Sequence, residues 1–380
     1  MPWEDIKSSD LWYFDGNLVV AATDMEEKKR YLFKVHKSVL ASHSPIWKDI
    51  FDLPQAPATS KGDKSDTFEG LPLMVFPDAA SDVEDLFSFM YMIRHIPHEI
   101  LKVDTVDEVA GALRLSTKYD IEHLMARIVG VLESDWPKKL CDWDVREKYV
   151  NHLLIEKDGE DMDKYFAEPA ALIRIATECN VLAVLPAAFY HLSRVYWRVQ
   201  PSEGATGVST GAVSAIARTA KVEILEAKDL RRLIVGREAL RAEVLDFLYR
   251  VKRSRDEGHI ATCKLTSKAE PLVWPCKKGL NDWWTNHALN YVLNCDKDDM
   301  HPINLYDPLA SLTKLAMDIT DWNFLSSAKR PCSTCRGWAA NEILAERLKI
   351  WESLPRMFGI KDAWRNEEDS SSEGETNDDD

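Results

Sequence analysis

Apolar and polar positions change rhythm about a third of the way along the chain. Up to residue 135 they read as strands and helices mixed, and beyond it as helices alone. Residues 18–22 (LVVAA) form an unbroken apolar run just after the turn signal Asp15-Gly16. A polar stretch leads to residues 31–35 (YLFKV), where Tyr31, Phe33 and Val35 share one face. Two such runs joined by a polar connection predict a hairpin. HKSVLAS predicts a helix and SPIWKDIFDL a second one. In the latter Ser44 caps, Pro45 takes the first helical position, and Ile46, Trp47, Ile50 and Phe51 form an apolar stripe. Residues 54–70 are rich in Pro, Ser, Lys, Gly and Asp and read as a surface loop; residues 73–76 (LMVF) read as a third strand. Three helices follow. The last carries Ile121, Leu124, Met125, Ile128, Val131 and Leu132 at helical spacing and stops at Trp136-Pro137.

Beyond Pro137 the strand signals fade. Residues 169–198 suggest two packed helices broken at Asn180 and Pro186, and residues 200–214 a small-residue loop. Leu230, Leu233, Ile234, Leu240, Val244, Phe247 and Leu248 mark a long helix. Leu309, Leu312, Leu315, Ala316 and Ile319 mark another, and Ile343, Leu344, Leu348 and Trp351 the last. One irregular segment is expected between about Gly258 and Pro275, and no internal repeat is visible.

The segment FKVHKSVLASHSPIWKDIF resembles the signature of BTB/POZ domains, through Phe33, His36, Lys37, Leu40, Ala41, Ser44, Pro45 and Phe51, with Trp47 where the pattern usually has Phe. Two later blocks agree in order: DLFSFMY from Asp85 to Tyr91, and LRLSTKYDIEHL from Leu113 to Leu124, with Ser116 in place of Ala. Downstream, LPAAFYHLSRV, GREALR, DPLASL, CSTC and LPRMFG resemble fungal BTB proteins with a helical C-terminal region. The resemblance implies an α+β BTB/POZ domain over residues 10–137, a small sheet capped by helices. An all-α domain over 138–365 and a disordered acidic tail over 366–380 would follow. Val35, Leu40, Phe51, Leu86, Phe89 and Leu124 are then expected in the core.

The resemblance also implies a protein–protein interaction adaptor or scaffold, whose partner is another protein: a cullin ubiquitin-ligase scaffold, for which the chain would be a substrate receptor, or a second BTB chain. Cullin-recruiting BTB domains carry a hydrophobic-x-Glu pattern at the start of the third-helix block. Here Val83-Glu84-Asp85 aligns with it, with Asp85 where Glu is usual, and Leu86 and Tyr91 flank it. Val83, Asp85, Leu86 and Tyr91 are therefore the partner-binding candidates. The plain reading of Glu84 and Asp85 is two acids favoured in a helix's first turn. The alternative function is a nuclear BTB-type transcriptional regulator. Against it stand the lack of a paired Cys and paired His finger pattern and of a basic stripe.

Charge narrows the classes further. With 48 Lys and Arg against 63 Asp and Glu the net charge is −15, which argues against a nucleic-acid coat or a binder of anionic membranes. Eight of those acids and no base fall in residues 367–380, a stretch with no apolar side chain to bury. It reads as a solubilising end, with acidophilic phosphorylation at Ser370 or Ser372 as the sharper alternative. No apolar run reaches the ~18–20 residues of a membrane helix. MPWEDIKSSD lacks the basic start and apolar stretch of a secretory signal. The expectation is an intracellular protein, cytoplasmic or nuclear, with its seven cysteines reduced.

Enzyme chemistry is not expected. Phosphate-loop, HExxH and dinucleotide motifs are absent, and Gly207-Val208-Ser209-Thr210-Gly211 matches G-x-S-x-G without the strand such an elbow needs. No cofactor is firmly indicated. Cys332 and Cys335 form a CxxC, which supplies two zinc ligands from one turn; Cys263 and Cys276 could supply two more, giving a structural zinc site. The competing reading is four reduced thiols packed as small apolar groups. His36 reads as a hydrogen-bonded structural histidine. Trp283, Trp284 and Trp351 read as core, with one of the adjacent pair partly exposed.

Overall fold

The structure, a computed structural model, describes residues 3–53, 67–92, 105–156, 168–195, 220–257, 275–293, 307–322, 330–361 and 363–364. The G-x-S-x-G match, the loop at 200–214, Cys263 and the acidic tail lie outside them. Two compact units are present. One comprises residues 1–135 and 164–181, the other 136–163 and 182–380.

In the first unit β2 (Leu18–Asp24) and β3 (Lys29–Val35) form the expected hairpin, with Leu18 opposite Val35 and Asp24 opposite Lys29. The run LVVAA is buried throughout because its strand is central: β3 lies on one side and β5 (Leu71–Ala79), parallel to it, on the other. Two strands were not expected. β1 (Glu4–Trp12) pairs parallel with β3 at the sheet edge, and β4 (Thr67–Phe68) pairs with β5 inside the presumed loop. β1 buries only Ser8 and Leu11, so its sequence carries no alternating signal.

Helices α1 (Lys37–His43) and α2 (Pro45–Asp52) meet at Ser44. Its hydroxyl accepts the Trp47 N–H at 3.2 Å and donates to the Tyr119 carbonyl at 2.5 Å. Then come α3 (Ala80–Met90), α4 (Thr105–Lys118) and α5 (Glu122–Asp135), the three expected helices. Val35, Leu40, Leu86, Phe89 and Leu124 are buried as expected, while Phe51 is only half-buried. Helix α7 (Pro169–Glu178) also packs here, against α4. Arg114 of α4 bridges Asp82 of α3 at 2.5 Å and Glu178 of α7 at 2.7 Å. A single cut after residue 137 therefore does not describe the contacts.

The second unit holds α6 (Leu140–Glu156), α8 (Leu185–Arg194), α9 (Ala227–Glu257), α10 (Pro275–Trp283), α11 (Leu289–Leu293), α12 (Pro308–Asp321), α13 (Ser333–Glu352) and α14 (Leu354–Met357). Helix α9 is the long helix expected; α12 buries all five of its marker residues. Ile234, Leu344 and Leu348, which also marked helices by their spacing, are exposed. Trp283 and Trp284 are both buried, correcting the expected exposure of one. A π-helical turn at Trp284–Ala288 interrupts the α geometry, and the Trp284 indole N–H donates to the Leu248 carbonyl at 2.8 Å. Among the described residues no helix is long and apolar enough to cross a membrane.

Candidate functional site

Helix α3 carries the partner-binding candidates, and it faces inward. Val83 and Leu86 have 0% exposure, which removes both as anchors for a partner. The reason is helical spacing: Val83, Leu86, Phe87 and Met90 form the stripe that closes the sheet's core. Asp85 is half-buried and turned toward α4, where a Cβ added to Gly111 would lie 2.9 Å from its carboxylate. Tyr91 is a structural pin. Its hydroxyl accepts the His36 backbone N–H at 2.9 Å and lies 3.2 Å from His36 Nδ1, and its ring stacks on Tyr13 at 4.7 Å. Burial pushes its phenol pKa up to about 12. His36 is thus the hydrogen-bonded histidine expected, its Nε2 lying 3.1 Å from Asp15.

One exposed apolar row lies on α2 instead. Trp47 points inward and packs on Phe76, Phe87 and Tyr119 with ring centroids 5.8, 6.4 and 4.8 Å away. With Trp47 inside, Ile46 and Ile50 turn outward, 38% and 37% exposed, and Leu53 follows at 63%. The spacing i, i+4, i+7 puts the three on one face. The sequence pattern placed Ile46, Trp47, Ile50 and Phe51 in one apolar stripe. Only the position of Trp47 could have separated them, because an indole of that size fills the pocket alone.

In the second unit, three of the four cysteines proposed from the sequence converge. The sulfurs of Cys276, Cys332 and Cys335 all lie within 4.8 Å of one another. Cys276 and Cys335 are buried and Cys332 is half-buried. The Cys332 backbone N–H points at Cys276 Sγ, 3.2 Å away. Cys263 lies outside the described residues.

The BTB/POZ domain family model matches residues 18–135. No curated protein matches the chain. The matched stretch begins with β2 and ends where α5 ends, so the curled sheet and its helices are a BTB domain, and the region after it is mostly helical. BTB domains mediate protein–protein interaction, including homodimerisation, and are generally not enzymatic.

Proposed function

We propose that this chain is a protein–protein interaction adaptor or scaffold that assembles through its BTB domain, with the outer face of α2 as the contact and a second copy of the chain as first partner. The observation that carries the reading is the exposed row Ile46, Ile50 and Leu53 within the family match. Apolar side chains aligned on one helix face gain most when a partner removes them from water. A substrate-receptor role toward a cullin scaffold remains compatible with an adaptor, through residues other than the buried Val83 and Leu86. The net charge of −15 disfavours direct nucleic-acid contact, and with it the nuclear-regulator alternative.

Light scattering on the purified full chain tests this, alongside tagged capture from cells with mass spectrometry. The wild type should be dimeric. The double substitution Ile46→Asp, Ile50→Asp should be monomeric with unchanged circular dichroism. A monomeric wild type whose captured partners are the same with and without the two substitutions would overturn the reading.

A further inference from the structure

We infer that Cys276, Cys332 and Cys335 are ligands of a structural zinc site. Zinc bonds thiolate sulfur at about 2.3 Å, which places two sulfurs of a tetrahedron roughly 3.8 Å apart. The three sulfurs, already within 4.8 Å of one another, close onto such an ion by moving about 1 Å at most. Three thiolates fill three tetrahedral corners, and the inference holds whichever group fills the fourth.

The local backbone suits anionic sulfur. Cys276 is the second residue of α10; Cys332 immediately precedes α13, and Cys335 is its third residue. Two helix N-termini, each with a partial positive charge, therefore open at the cluster. Neither helix has an acidic residue in its first turn, and no side chain caps α13. The thiolates would supply the negative charge those ends favour. The Cys332 N–H aimed at Cys276 Sγ is the kind of outer hydrogen bond that orients a ligand. Lys277, Lys278, Arg330 and Arg336 flank the cluster in sequence and further favour ionised sulfur. Soft sulfur donors select zinc over magnesium or calcium. Burial of Cys276 and Cys335 makes the site a staple, holding the starts of α10 and α13 together.

The test uses the full chain, expressed with added zinc and purified reduced without chelator. Elemental analysis should find about one zinc per chain, and exchange for cobalt should give the charge-transfer and visible bands of tetrahedral thiolate coordination. Cys332→Ser, at the half-buried position, should lower zinc affinity at least about tenfold while the protein stays folded. Cys335→Ser should do so more strongly; if it does not fold, Cys332→Ser decides. Cys141→Ser, on the exposed face of α6, should retain the metal. A folded wild type that takes up neither zinc nor cobalt overturns the inference. So does unchanged zinc affinity in folded Cys332→Ser, or a disulfide among the three in protein alkylated at lysis.

Discussion

Arg194 and Asp307 meet at 2.8 Å with almost no water access to either side chain. Around this pair the second unit assembles its polar interior. Arg194 also holds Glu147 at 2.7 Å, Arg146 reaches Glu147 at 3.0 Å, and the Tyr190 hydroxyl donates to Asp307 at 2.7 Å. Both guanidiniums lie on the Trp143 ring, 4.9 and 5.0 Å from its centroid. Burial opposes the charge on Arg194, but Glu147 and Asp307 more than offset it. Burial, reinforced by Asp307, holds the Tyr190 phenol well above its usual range, so it remains a donor. Asp307 also caps α12 through the Ala310 N–H, so α6, α8 and α12 share one network.

Removing one member strands the others in a dry interior. Arg194→Met should destabilise the second unit by about 3–5 kcal/mol, because it leaves the buried Asp307 carboxylate without its guanidinium, and Asp307→Ala should cost less, because Arg194 keeps Glu147. The double substitution should cost less than the sum of the two by at least about 1 kcal/mol, since the second removes a charge already orphaned. Denaturant unfolding of the full chain, followed by tryptophan fluorescence, measures all three. Additive effects would show that the pair is not coupled.

Leu86→Arg should unfold the BTB domain instead of producing a folded, binding-deficient protein. Leu86 sits at 0% exposure, so the substitution would force a guanidinium into an apolar core. Ile50→Asp, on the outer face of α2, should leave the melting temperature nearly unchanged. Circular dichroism melts of the two variants check the contrast. A folded Leu86→Arg protein would mean that α3 does not pack as described.

Glycine to alanine inside a helix ordinarily gains up to about 1 kcal/mol. At Gly236 the sign should reverse. The buried Phe358 ring presses on this position, and a Cβ there would meet its edge at 2.0 Å. Phe358 is also stacked on Phe189 at 5.3 Å, so it has little room to withdraw. Gly236→Ala should therefore lower stability by about 1–3 kcal/mol, as overpacking does. Adding Phe358→Leu should recover part of the loss. Gly337, with nothing near its added Cβ, is the control and should tolerate alanine.

How much of this was legible follows from what each residue's partner is. The β2–β3 hairpin, the Ser44 cap and α12 were readable because their signals are local: a turn, a hydroxyl three residues before its N–H, a helical period. Strand β1 was not, because its pairing is backbone to backbone with β3 and its side chains mostly face water. The family resemblance pointed to Val83 and Leu86 as a surface, whereas their own spacing already placed them with Phe87 and Met90 on the core side. The Arg194–Asp307 pair joins residues 113 apart in sequence, and no window around either announces the other. The thiol cluster lay between these cases. The CxxC is local, and its meeting with Cys276 is a property of the fold.

A last pair of side chains gives the BTB domain a defined response to acid. His43 Nδ1 and His123 Nε2 lie 2.9 Å apart, at the end of α1 and the start of α5. One ring must offer its proton and the other a lone pair, so the contact fails when both are protonated. Burial, and then the neighbouring His123, hold the His43 pKa below its ordinary value. In the unfolded chain His43 takes up its proton near pH 6.5, while in the fold it resists until lower pH. Between those points the unfolded state binds more protons, so stability must fall as pH falls. The contribution is complete above about pH 6.5 and declines below it until the folded pKa is passed. His43→Gln removes the titrating group and keeps a side chain able to hydrogen-bond His123. The melting temperature of the wild type should therefore drop more between pH 7.5 and 5.5 than that of His43→Gln, with the two curves running parallel above pH 7. Thermal melts of both proteins in matched buffers decide it, and parallel curves over the whole range would show that the pair carries no pH dependence.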